Sequence, residues 1–237
     1  MRPLLIIKPG RTYPQIAARR GDYEEWIAAR MGLPAARVQV VNVFEDEPLP
    51  DPAEVGAAVV TGSSAMVSER LAWSERTGAW LVGAVEAGTP LLGICYGHQL
   101  LAQSLGGRVG VNPRGREIGT IHVELGGAAR DDALLQVLPE TLVVQATHVE
   151  SVLELPPGTH SLAASAGDPH HAYAAGPRAW GVQFHPEFDA DVITSYLRER
   201  REIIAHEGLD PDALIEGARD TDHGAQLLRR FAELAFS

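Results

Sequence analysis

The chain has 237 residues, is 45% hydrophobic and carries a formal net charge of −11, with a single lysine, Lys8, and a single cysteine, Cys95. This length admits one α/β domain or two small ones and supplies enough apolar side chain for a sizeable core. The acidity argues against a nucleic-acid partner, which needs a clustered basic face, and the lone cysteine rules out an intramolecular disulfide and argues against a cysteine-built metal site. No run of about 18 apolar residues is present to span a membrane, and the Leu4–Ile7 stretch is too short for a signal-peptide core. A reducing, cytoplasmic setting is expected.

In chain order, apolar runs at Leu4–Ile7, Val38–Val43, Ala57–Thr61 and Pro90–Ile94 read as strands. Between them, 22–31 places Tyr23, Trp26, Ile27 and Arg30 at helical spacing, and 73–88 is long enough for a second crossover helix ending at a glycine. That alternation predicts an α/β fold with a mainly parallel central sheet flanked by helices. Trp73 and Trp80, seven residues apart on one face, read as core or inter-element contacts. From about Arg116 the rhythm changes. Strand candidates follow closely at 119–125, 142–146, 160–164, 170–174 and 180–184, which predicts an antiparallel edge to the sheet. Beyond Phe188 the pattern is helical, broken at Gly208–Pro211 and resumed over 222–236. With no repeat or low-complexity linker, residues 1–190 are assigned to one domain and 191–237 to a helical C-terminal extension of it, an amphipathic cover for the sheet.

Two stretches carry chemistry. Pro90 to Gln103 runs from an apolar strand through Gly93-Ile94-Cys95-Tyr96-Gly97 into a helix, a nucleophile elbow with cysteine in place of serine. The flanking glycines permit a tight turn, and the sulfur comes to lie beside a helix N-terminus whose free N–H groups favour a thiolate and can bind an oxyanion. The second stretch, Gly181 to Phe188, ends a strand with His185 two residues before Glu187, a general base and its orienting carboxylate.

With these pieces in order, residues 4 to 190 resemble the class I (Cys–His–Glu) glutamine amidotransferase family, whose fold is flavodoxin-like. Val60-Thr61-Gly62-Ser63-Ser64 is similar to the family's oxyanion-strand loop, and Arg116-Glu117-Ile118-Gly119 with Thr147-His148 and Glu150 resembles the amidotransferase half of GMP synthase. The resemblance implies Cys95, His185 and Glu187 as the catalytic triad, the backbone amides of Gly62 and Tyr96 as the oxyanion hole, and Gln99, Thr147 and His148 as substrate-binding residues. Val149 stands where the family often has glycine, so the substrate loop departs from the pattern. The Gly62–Ala65 loop, being Gly-Ser-Ser-Ala, is expected to be free to move until a partner orders it. The implied substrate is glutamine, hydrolysed to glutamate and ammonia, with no cofactor or metal and with a separate ammonia-accepting synthetase as a possible partner, since no synthetase half follows. One alternative is a γ-glutamyl hydrolase or peptidase using the same triad. Another is a non-catalytic regulatory module on the same fold.

Two further features lie outside the triad. His170-His171 read as exposed strand histidines rather than metal ligands, because no carboxylate cluster accompanies them at ligand spacing. Arg114 and Arg116, flanking Gly115, read either as a substrate-carboxylate site or as a solvated turn.

Overall fold

The computed structural model describes residues 2–236. Apolar runs that lack the alternation of half-exposed strands form a parallel array of β1 (Leu4–Lys8), β3 (Ala57–Val60), β4 (Leu91–Ile94) and β11 (Ala179–Val182), with the partly exposed β2 (Val38–Asn42) at its edge. Successive β1 residues face opposite sides, yet all are buried. Leu4 and Ile6 join one apolar cluster, and Leu5 and Ile7 the other. Burial on both faces is what a parallel sheet covered by helices requires.

Helix α2 (Tyr23–Met31) begins in a capping box, in which Asp22 accepts from backbone amides and Glu25 reaches back to the Asp22 amide; it stops at Gly32 in the left-handed conformation. The same Asp22, with Glu24, neutralises the buried Lys8 ammonium at the end of β1, at 2.8 and 2.6 Å. α3 (Ala72–Glu86) and α4 (Tyr96–Ser104) cover the other face. Trp73 lies against Tyr96 and Trp80 donates to the Pro50 carbonyl, so both tryptophans serve inter-element packing.

The sheet has nine strands in the order β2-β1-β3-β4-β11-β10-β9-β6-β7. β6 (Glu117–Leu125), β7 (Thr141–His148), β9 (His160–Ala164) and β10 (Ala172–Gly176) supply the antiparallel half. The chain beyond β11 then meets the end of β7, where the His185 amide donates to the Gln145 carbonyl at 2.8 Å. β5 (Arg108–Val111) and β8 (Glu150–Glu154), which no run in the sequence predicts, pair separately as a two-stranded sheet. Helix α1 (Pro14–Arg20) is likewise unpredicted, and β10 starts two residues later than expected, leaving His170 and His171 in the approach to the strand.

The C-terminal segment forms α5 (Ala190–Glu199), α6 (Arg201–His206), α7 (Pro211–Glu216) and α8 (His223–Phe236). α8 lies on the face of α2, with Leu227, Leu228 and Phe231 fully buried. Arg116, expected in a substrate site or a solvated turn, instead forms a two-point ion pair with Glu207 at 2.6 and 2.9 Å with its side chain only 5% exposed, tying β6 to the helical segment. Arg114 donates to the Ala166 carbonyl. No helix among the described residues is long and apolar enough to cross a membrane.

Phe231 meets Trp180 of β11 edge to face, 6.2 Å between ring centroids. Its removal leaves a cavity under the sheet. Phe231→Ala is expected to cost about 3–5 kcal/mol in urea unfolding, as buried aromatic truncations do; a loss under about 1 kcal/mol would show that α8 is dispensable to the core.

Candidate active site

Cys95 connects β4 to α4 with φ of 50° and ψ of −99°. A non-glycine residue held there costs on the order of 1–3 kcal/mol, which persists only where the surroundings over-determine it. Here they do. A Cβ on Gly93 would lie 2.5 Å from the Gly97 carbonyl oxygen, and one on Gly97 would lie 2.5 Å from the Val60 carbonyl oxygen of β3. The glycines therefore let α4 close against β3 and β4, and the turn carries the sulfur to the sheet edge. The Tyr96 amide, at the first position of α4, has no acceptor within the helix.

Strands β3 and β11 flank β4, so their ends bring the other expected residues to Cys95. After β3 comes Gly62, where a Cβ would lie 2.8 Å from His185 Cε1; only a glycine lets the loop pass so close to the imidazole. That loop is anchored rather than free: Ser63 Oγ donates to the Pro9 carbonyl at 3.0 Å and accepts from the Ala65 amide at 3.1 Å. Beyond β11, His185 Nδ1 and Glu187 Oε1 are 2.7 Å apart, both groups buried. His185 stacks on Phe188, with 4.1 Å between centroids, and Arg30 of α2 holds this segment by donating to the Glu187 and Phe188 carbonyls. Tyr23 and Tyr196, linked by a 2.8 Å hydrogen bond between hydroxyls, close the far side; neither stands out in the sequence as a site residue.

The electrostatics favour a charged imidazole. Burial, the largest influence on His185, opposes the positive form, but the Glu187 carboxylate and the neighbouring Cys95 sulfur together outweigh it and push the pKa up to about 10. At His98 of α4 burial outweighs the opposing pull of Asp168 and lowers the pKa to about 3, so this ring stays neutral.

The residues expected to hold substrate also converge. Gln99 of α4 donates to the Glu150 carbonyl at 2.7 Å and to Gln183 at 3.0 Å, and so reaches the loop as a strut. Cys95 Sγ lies 3.9 Å from the Thr147 carbonyl. Thr147 Oγ1 and Glu150 Oε1 are buried without protein partners, and both residues line the small cavity that also contains Cys95, Gln99 and Val149. His148 lines the same cavity, and its Nε2 is 3.0 Å from Glu117 Oε2.

His171 corrects the sequence reading. It is fully buried rather than exposed, and its Nε2 is 2.6 Å from the same Glu117 oxygen. The carboxylate comes from β6, 54 residues away in sequence, which is why local spacing could not reveal it.

The family model for glutamine amidotransferase class-I matches residues 23–201. The chain belongs to the class I glutamine amidotransferases. It is 35% identical over 203 residues to the glutamine-hydrolysing GMP synthase of Aeropyrum pernix, covering 82% of this chain and 35% of the relative. It is 34% identical over 151 residues to a glutamine-hydrolysing GMP synthase subunit of Thermococcus kodakarensis, covering 63% of this chain and 62% of the relative. The chain thus spans about a third of the length of the first of these relatives and under two thirds of the second. A glutamine amidotransferase structure from Thermotoga maritima superposes with a TM-score of 0.77 at 22% identity, covering 99% of this chain and 98% of the other, a likeness of fold.

Because the folded-state pKa of His185 lies above the ordinary histidine value of about 6.5, the stabilisation tied to its charge is complete below that pH and is lost as pH rises through about 10. Histidine-selective NMR should find the His185 ring doubly protonated at pH 8. A ring already neutral there would contradict the charge arrangement.

Proposed function

We propose that this chain hydrolyses the γ-carboxamide of glutamine through a γ-glutamyl thioester on Cys95, releasing glutamate and ammonia. The observation that carries this reading is the strained Cys95 turn set beside the buried His185–Glu187 pair, with family membership as its context.

The steps follow from the geometry. The Cys95 thiolate attacks the γ-carbonyl carbon, and the developing oxyanion is held by the backbone amides of Tyr96 and Gly62. The His185 imidazolium delivers its proton to the departing nitrogen, then takes one from the water that attacks the thioester. Glu187 keeps the ring in place through Nδ1 and stabilises its charged form. The α-amino-acid end of the substrate lies in the Cys95 cavity, where the partnerless Glu150 Oε1 and Thr147 Oγ1 face it, with Gln99 bracing the loop. Ammonia passes to an acceptor enzyme on another chain, a reading supported by the likeness to a GMP synthase subunit.

One observation favours a second reading. A cleft of about 250 Å³ bordered by His185 is also lined by Arg11, Tyr13, Tyr196 and Arg200. Arg200 donates to the Tyr13 hydroxyl and makes no ion pair among the described residues. Such a space admits an amine larger than ammonia, as a γ-glutamyl hydrolase or peptidase would need.

Steady-state assays with glutamine and a γ-glutamyl dipeptide separate these readings and test the triad. Cys95→Ala should abolish hydrolysis of both substrates, His185→Ala should be nearly as damaging, and Glu187→Gln should retain more, since it keeps much of the orienting geometry. Turnover surviving in Cys95→Ala would overturn the mechanism. A kcat/KM for the dipeptide more than about tenfold above that for glutamine, equivalent to roughly 1.4 kcal/mol, would make the second reading the main one.

A further inference from the structure

We propose that Glu117, His148 and His171 form a binding site for one divalent transition-metal ion of the zinc class, separate from the Cys95 centre. One donor atom from each of the three lies within 4.8 Å of the others. The two imidazoles approach Glu117 Oε2 through their Nε2 atoms, His148 at 3.0 Å and His171 at 2.6 Å. Two imidazoles and one carboxylate are the donor types that zinc and its neighbours accept.

The hydrogen bonding around His148 aims its Nε2 at the carboxylate. Its Nδ1 is 3.0 Å from the Glu150 carbonyl oxygen, which can only accept, so Nδ1 carries a proton. That contact leaves Nε2, 3.0 Å from Glu117 Oε2, as the nitrogen available to a metal ion. A metal ion there would be shared by both imidazoles and the carboxylate. It would widen the two nitrogen–oxygen separations to about 3.3 Å, the span set by metal–ligand bonds of about 2.0–2.2 Å at a tetrahedral centre.

The outer contacts are those a metal site uses to aim its ligands. The His148 Nδ1–H donates to a backbone carbonyl. The second Glu117 oxygen accepts from Ser165 Oγ at 2.7 Å, and that hydroxyl is fixed by the amides of Gly167 and Asp168. A Cβ on Gly167 would lie 2.5 Å from Glu117 Oε1, so glycine lets the loop lie close against the carboxylate. The ion would join the start of β6, the end of β7 and the approach to β10. His148 directly follows Thr147, whose carbonyl faces Cys95, so occupancy would stiffen the substrate loop without entering the reaction.

The test is titration of the chelator-stripped full chain with Co²⁺ and Zn²⁺ at neutral pH, read by the visible ligand-field spectrum and by calorimetry. The same titration is run on Cys95→Ala, His171→Gln and Ser165→Ala, with circular dichroism to report folding. We expect one equivalent bound by the parent and by Cys95→Ala, with no sulfur-to-cobalt charge-transfer band. Affinity should fall by about 100-fold or more in His171→Gln and by about 10–100-fold in Ser165→Ala, the range seen for outer-contact losses. Absence of saturable binding to the parent would overturn the site. So would binding that disappears in Cys95→Ala, which would place the ion on the catalytic pair, or binding that a folded His171→Gln retains. If His171→Gln does not fold, unchanged affinity in Ser165→Ala overturns it.

Discussion

The turn from β4 into α4 leaves no space for a side chain at Gly93 or Gly97, and the positions of the other site residues depend on how closely α4 can approach. With Gly97 against the Val60 carbonyl, the helix N-terminus sits at the edge of three adjacent parallel strands. The ends of those strands are then within reach of one sulfur: the Gly62 loop on one side and His185 on the other. A methyl group at either glycine would move the helix, and the amide of Tyr96 with it. The strained φ at Cys95 is the local cost of that closeness, sustained by burial of β3, β4 and α4 on both sides.

Behind the sulfur the protein arranges charge that burial would otherwise remove. His185 keeps its proton because Glu187 and Cys95 face it, and the ring is stacked on Phe188 and held in place through Arg30. The helices beyond Phe188 take part in this. α5 brings Tyr196 to the hydroxyls of Thr12 and Tyr23, 2.8 Å from each, while Arg200 at the end of α5 reaches the cleft beyond His185. The C-terminal segment therefore both covers the sheet, through α8, and shapes the space beside the imidazole.

How much of this was legible follows from how local each signal is. The inner parallel strands announce themselves because burial on both faces demands unbroken apolar runs, and the glycines around Cys95 mark a turn with no space for a side chain at either position. β5 and β8 escape notice because Arg108–Val111 and Glu150–Glu154 are short and pair only with each other. The early end of β11 at Val182 has a physical reason as well, since the next residues leave the sheet and His185 pairs with Gln145 instead. Tyr196, Arg200 and the Glu117–His171 contact are not readable, because each joins segments far apart in the chain. For His171 the error is one of environment: two adjacent histidines before a strand look solvated until β6 places a carboxylate beneath one of them.

We propose that Cys95 is the nucleophile that accepts the γ-glutamyl group. Mass spectrometry of the intact protein after exposure to a glutamine-analogue diazoketone, followed by peptide mapping, tests it directly. One adduct per chain is expected, located on Cys95 and suppressed by excess glutamine. An unmodified protein, or labelling that glutamine does not slow, would contradict it.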